Sequence, residues 1–145
     1  MPAESLVELP NLQDMLQTLV APWVTQLDLR VREARHGEVV LSLPIAPPLV
    51  HVGQVLCGQA VMAAADTAMI LAIATQLGGF KPMTTVQLQT SFLRPIAGSQ
   101  TAAAGKARVV GRVLRLGKNL VFGEIEVFDA GGKLAAHATT TYALL

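Results

Sequence analysis

The sequence predicts an α+β fold in which an antiparallel sheet wraps around one long helix. Three observations predict it. The run from Ala60 to Ala74 is broken only by Asp66 and Thr67, so a helix there is apolar nearly all round and needs cover on most sides. Four segments after it read as strands joined by turns. Ahead of it lies a pair of alternating segments around His36-Gly37, a hairpin signal. A single fully apolar helix is best covered by a sheet curved around it.

Taken in order, Pro10 to Val20 has Leu12, Met15, Leu16 and Leu19 at helical spacing, with Asn11 as the cap and Pro22 as the stop. From Thr25 the period becomes two, and Leu27, Leu29 and Val31 mark one strand. Val39 to Leu43 is its hairpin partner. Pro44, Pro47 and Pro48 end pairing and open a loop that reaches His51. Gly53 to Leu77 is loop and then the central helix, closed by Gly78-Gly79. Thr84 to Phe92, Gly98 to Leu116, Leu120 to Phe128 and Leu134 to Leu144 are the later strands, expected to pair as a meander.

The 145 residues suit one domain, with residues 1–9 as an N-terminal extension. The composition, 52% hydrophobic and 14% charged, leans towards a well-buried and oligomeric protein. With a net charge of +1 and no basic block, nucleic acid is not an expected partner. A membrane span is not expected either, because the apolar run is short of about 20 residues and carries Asp66. The N-terminus lacks the basic-then-apolar pattern of a secretory signal, and Cys57 is the sole cysteine. A reducing, cytoplasmic setting is the default. No residue cluster has metal-ligand spacing, and no glycine-rich phosphate loop is present.

Asp66 is the most informative residue, since a carboxylate within an apolar segment is costly to desolvate without a partner or a task. Gly58 stands where the helix begins. Its N–H and the positive end of the helix dipole favour a developing oxyanion. Eight residues separate the two, a rise of about 12 Å. One reacting carbon cannot reach both in one chain. If both serve one reaction, the site is built from two chains whose helices lie side by side. The competing reading of Asp66 is a structural carboxylate, and of Gly58 a plain helix start.

Three stretches carry a family resemblance. GQVLCGQAVMAAADTA resembles the G-x-x-x-H-G-G-x-x-x-x-L-x-D segment of hotdog-fold thioesterases of the phenylacetate-degradation and 4-hydroxybenzoyl-CoA type. TTVQLQTSFLRP resembles their following strand, and LGKNLVFGEIEVFDAGGKLAAHATTTY their last hairpin. The resemblance covers residues 10–145 and implies hydrolysis of an acyl-CoA thioester by a homodimer or dimer of dimers (a homotetramer). It places the family's upstream asparagine on His51 and its motif histidine on Cys57. Its two glycines fall on Gly58 and Gln59, its acid on Asp66 and its strand hydroxyl on Thr85. Catalysis is then expected from Asp66 as general base or nucleophile, with the Gly58 N–H as oxyanion donor. His51 would assist the carbonyl and Thr85 would place water.

Coenzyme A enters as part of the substrate, with no cofactor and no metal required. Arg94, Arg112, Arg115 and Lys118 are candidates for its phosphates, arginine being suited to phosphate and lysine acting as a point charge. Surface strands also carry such residues without a ligand. Cys57 at a helix start has the setting of an activated thiol, but a small packing residue is the plainer reading. Two alternatives to an enzyme stand beside this one: a protein that binds acyl-CoA or another small ligand in the same cleft without turnover, and a purely structural role.

Overall fold

The alanine-rich segment forms α3 (Gly58–Leu77), a helix whose narrow surface lets strands approach closely. Ala64, Ala65, Ala68 and Ala72 are fully buried. The computed structural model describes residues 3–145. Before α3 come α1 (Leu9–Thr18), α2 (Pro22–Thr25), β1 (Arg30–Arg35), β2 (Glu38–Pro44) and a 3-10 turn at Pro47–Leu49. After it come β3 (Met83–Phe92), β4 (Lys106–Leu116), β5 (Leu120–Phe128) and β6 (Leu134–Leu144). All strand pairs are antiparallel, in the order β1-β2-β4-β5-β6-β3. The sheet wraps α3 in the hotdog arrangement that the sequence predicts.

Contact between helix and sheet is closest at two glycines. A Cβ on Gly111 of β4 would lie 3.3 Å from the Ala68 carbonyl oxygen. One on Gly123 of β5 would lie 2.8 Å from the Arg112 carbonyl oxygen and run into the Met69 side chain. By length and hydropathy alone α3 would also suit a bilayer, but its apolar surface is the core of this domain. Gly78, at φ 82°, ends the helix in the left-handed cap that glycine favours. The β1–β2 turn is tied to the same end of α3, since the Gly37 N–H donates to Thr75 Oγ1 at 2.7 Å.

Several expected boundaries move. α1 starts at Leu9 with Glu8 as its cap, because Pro10 favours the first turn and Asn11 falls inside it. Pro22 opens α2 for the same reason rather than ending a helix. Leu27 and Leu29 are buried, but Asp28 at φ 56° breaks the extended chain, so β1 begins only at Arg30. The strand expected from Gly98 begins at Lys106. Residues 98–105 are a loop, with Ser99 Oγ accepting from the Thr101 and Ala102 N–H groups and Gly105 at φ 83°. That loop also changes the topology. β4, β5 and β6 form a meander, but β3 leaves it, crosses, and pairs with β6 at the sheet edge. Within the N-terminal extension Val7 is buried in the core, and the Leu6 N–H donates to the Thr75 carbonyl.

Candidate active site

Asp66 sits on the least covered stripe of α3. Gln59 is exposed there, and Met62, Ala63, Asp66 and Ile70 are half-buried at helical spacing. Its carboxylate is held from the sheet. Thr85 Oγ1 donates to Oδ1 at 2.8 Å, and the Tyr142 hydroxyl reaches the same oxygen at 2.5 Å. The hydroxyl also lies 2.8 Å from the Asp66 carbonyl oxygen. Thr85 and Tyr142 stand opposite each other in the β3–β6 register, and the register shifts immediately after Thr85. Such bulges re-aim side chains beside functional groups. No side chain among the described residues donates to Oδ2.

Tyr142 is 1% exposed. Burial is the main cause that raises its pKa above the ordinary 10.0, and the neighbouring Asp66 charge and hydrogen bond add to it; Thr85 acts weakly against them. The phenol therefore stays a donor. Sequence reasoning passed over this residue. The available signal was the alternation of Ala138, Thr140 and Tyr142 on the buried face, because a buried phenol needs a hydrogen-bond partner.

Gly58 lies at the other end of the problem. It is the first residue of α3, and the Cys57 cap makes no side-chain hydrogen bond. The N–H groups of Gly58, Gln59 and Ala60 meet no acceptor among the described residues, as expected for an uncapped helix start. Gly58 borders a cleft of about 400 Å³ with His51, Val61, Phe92, Leu93 and Arg94. A Cβ at Gly58 would lie 3.2 Å from the Phe92 ring, so glycine keeps the backbone open there. His51 is exposed, and its Nδ1 accepts the Gly53 N–H at 2.9 Å. In the neutral ring the proton is then on Nε2, which is free to donate. Asp66 does not border this cleft.

The cationic candidates separate. Arg94 is exposed at the Gly58 cleft. Arg115 and Lys118 are exposed at the β4–β5 hairpin. Arg112 is engaged by carboxylates: its Nε donates to Glu38 at 2.6 Å and its Nη1 to Glu126 at 2.5 Å. The Glu126 hydrogen bond leads in raising its pKa, with partial burial opposing and Glu38 adding. Cys57 and Gln59 border a second, apolar cleft of about 330 Å³ with Trp23, Leu27 and Leu49. A wider depression of about 660 Å³ at Glu4, Glu8 and Arg35 contains none of the predicted site residues.

A helix start with free N–H groups, and a carboxylate farther along the same helix with one free oxygen, suit acyl transfer to water. The family model described as the thioesterase superfamily matches residues 53–136, which span α3 and reach into β6. The chain belongs to the thioesterase superfamily. A provisionally named esterase from Thermoplasma volcanium is 34% identical over 118 residues, which is 76% of this chain and 77% of that protein. Among solved structures, a thioesterase from Haemophilus influenzae superposes with a TM-score of 0.83 at 20% identity, covering 100% of this chain and 95% of that one. The PaaI protein of the E. coli phenylacetic acid degradation operon gives 0.79 at 19% identity, covering 94% and 91%. At such identities the two structures speak for the fold. Membership in the superfamily makes this thioesterase-type chain a hydrolase.

Proposed function

We propose that this thioesterase-superfamily member hydrolyses acyl-CoA thioesters at a site shared between two copies of the chain. The observation that carries the reading is the Asp66 carboxylate, with Oδ1 held by two hydroxyls and Oδ2 left free on the open stripe of α3. Gly58 is about 12 Å away along the helix axis and opens a different cleft. A second copy, with its α3 alongside, would bring its Gly58 N–H to the carbonyl oxygen while Asp66 of the first copy acts on water. Two features support the pairing. The α3 stripe through Asp66 is the helix face with least cover, and β3 lies at the sheet edge with β6 as its one neighbour among the described strands. Val86 on that strand is 59% exposed. Native proteins seldom leave a long edge strand uncovered. A homodimer, alone or as half of a dimer of dimers, satisfies both.

In this reading Asp66 Oδ2 takes a proton from water as the water oxygen attacks the thioester carbon. The carbonyl electrons move onto oxygen, where the Gly58 N–H and the His51 Nε2–H receive them. Collapse breaks the C–S bond, and the thiolate leaves with the proton from Asp66. Thr85 donates to Asp66 and keeps its lone pairs for the water. Asp66 as nucleophile is the variant of this scheme, in which Oδ2 itself attacks and water opens the resulting anhydride. Arg94 beside the Gly58 cleft is the leading anchor for coenzyme A phosphate, with Arg115 and Lys118 the remaining candidates and Arg112 already satisfied by Glu38 and Glu126. The reaction needs no metal or redox cofactor, and the sole cysteine suits a cytoplasmic setting.

A panel of acyl-CoA substrates, followed by free-thiol release with wild type and Asp66→Asn, tests the proposal. Asparagine keeps an acceptor for Thr85 and Tyr142, so the fold should survive. The variant is expected to lose roughly a hundredfold to ten-thousandfold in kcat. Equal hydrolysis by both proteins would reject it.

A further inference from the structure

Tyr142 is a buried, chemically competent group that the scheme above leaves unused. We propose that Tyr142 is a positioning residue which, with Thr85, fixes Asp66 through Oδ1 and thereby selects Oδ2 as the oxygen that receives the proton. This inference rests on the proposed role of Asp66 in hydrolysis.

The geometry has three parts. Two hydroxyls from neighbouring strands converge on one carboxylate oxygen, at 2.8 Å and 2.5 Å. Thr85 and Tyr142 are directly paired across β3 and β6, so the sheet register places both side chains on the face towards Asp66. The same phenol lies 2.8 Å from the Asp66 backbone carbonyl, but its single proton serves one acceptor at a time, and the nearer, charged Oδ1 takes it. A carboxylate with two donors fixed on one oxygen has one remaining orientation and one oxygen with unengaged lone pairs. Burial holds the phenol's pKa above its ordinary 10.0, so it remains a donor at neutral pH. Preorganisation of this kind acts on the transition state and not on substrate affinity.

Tyr142→Phe removes one hydroxyl and keeps the ring. Loss of a hydrogen bond to a charged group predicts a fall in kcat on the order of tenfold or more, with KM within about twofold of wild type. In an Asp66→Asn background, assayed at high enzyme concentration, the same substitution should cause no further fall. Unchanged kcat in Tyr142→Phe, a change confined to KM, or an equal fall in the Asp66→Asn background would each overturn the inference while leaving Asp66 catalysis intact. Full activity in Asp66→Asn alone would instead overturn the hydrolytic reading, and this inference with it. Tyr142 is the only tyrosine in the chain. Should Tyr142→Phe fail to fold, global 3-fluorotyrosine labelling alters this one donor without truncation. Under the proposal kcat then changes at least about twofold at constant KM, because donor strength at Oδ1 has changed. Identical kcat in the labelled enzyme would contradict it.

Discussion

The Tyr142 hydroxyl lies 2.5 Å from Asp66 Oδ1, joining the last strand to the middle of the central helix across 76 positions of sequence. This contact turns a carboxylate in an apolar helix from a liability into an oriented group. It also withholds from the folded state a titration that the unfolded chain has.

The first prediction concerns alkali. The folded pKa of Tyr142 is raised above its ordinary 10.0, chiefly by burial and then by Asp66. Below pH 10 the phenol is protonated in both states and its contribution to stability is constant. Above pH 10 the unfolded chain releases the proton and the folded one does not, so stability falls by about 1.4 kcal/mol per pH unit from this group. Tyrosinate absorbance should therefore rise only together with loss of circular dichroism. A separate tyrosinate transition near pH 10 in folded protein would contradict the buried contact.

A second prediction addresses the start of α3. Cys57 has extended backbone angles, φ −66° and ψ 147°, which suit a residue before proline. Gly58→Pro should thus keep the helix, since proline is well tolerated at the first helical position, while removing the N–H assigned to the oxyanion. A fall in kcat of roughly a hundredfold to a thousandfold is expected, with helical circular dichroism retained. Wild-type kcat in a folded Gly58→Pro protein would remove Gly58 from the mechanism.

The third tests the packing that sets the distance between helix and sheet. A Cβ on Gly123 would come within 2.8 Å of the Arg112 carbonyl oxygen and displace the Met69 side chain. Gly123→Ala should cost about 1–3 kcal/mol, read from the urea midpoint. An unchanged midpoint would mean that α3 is not held against β5 at this position.

Much of this architecture is legible in the sequence for a local reason. The Ala60–Ala74 run, the Gly37 turn and the Gly78 cap are short-range features, and each is found where it was expected. Asp66 was conspicuous because a charge in an apolar run breaks a pattern. Tyr142 was not, since a tyrosine near the end of an alternating strand reads as ordinary core. Its importance depends on β3 pairing with β6, and no local signal distinguishes that pairing from β3 beside β4. Arg112 shows the same limit. Its role follows from Glu38 and Glu126 on neighbouring strands, which only the register brings together.

If one active site draws on two chains, two differently damaged chains can rebuild it between them. Asp66→Ala and Gly58→Pro proteins, each inactive alone, are unfolded together, refolded as a mixture and assayed for acyl-CoA hydrolysis. A mixed dimer contains one site with an intact Asp66 facing an intact Gly58. Recovery of roughly a quarter of the wild-type rate per chain is expected, from random pairing in a two-fold dimer. Mixed dimers that form, as judged by a tag on one variant, yet recover no activity would contradict it.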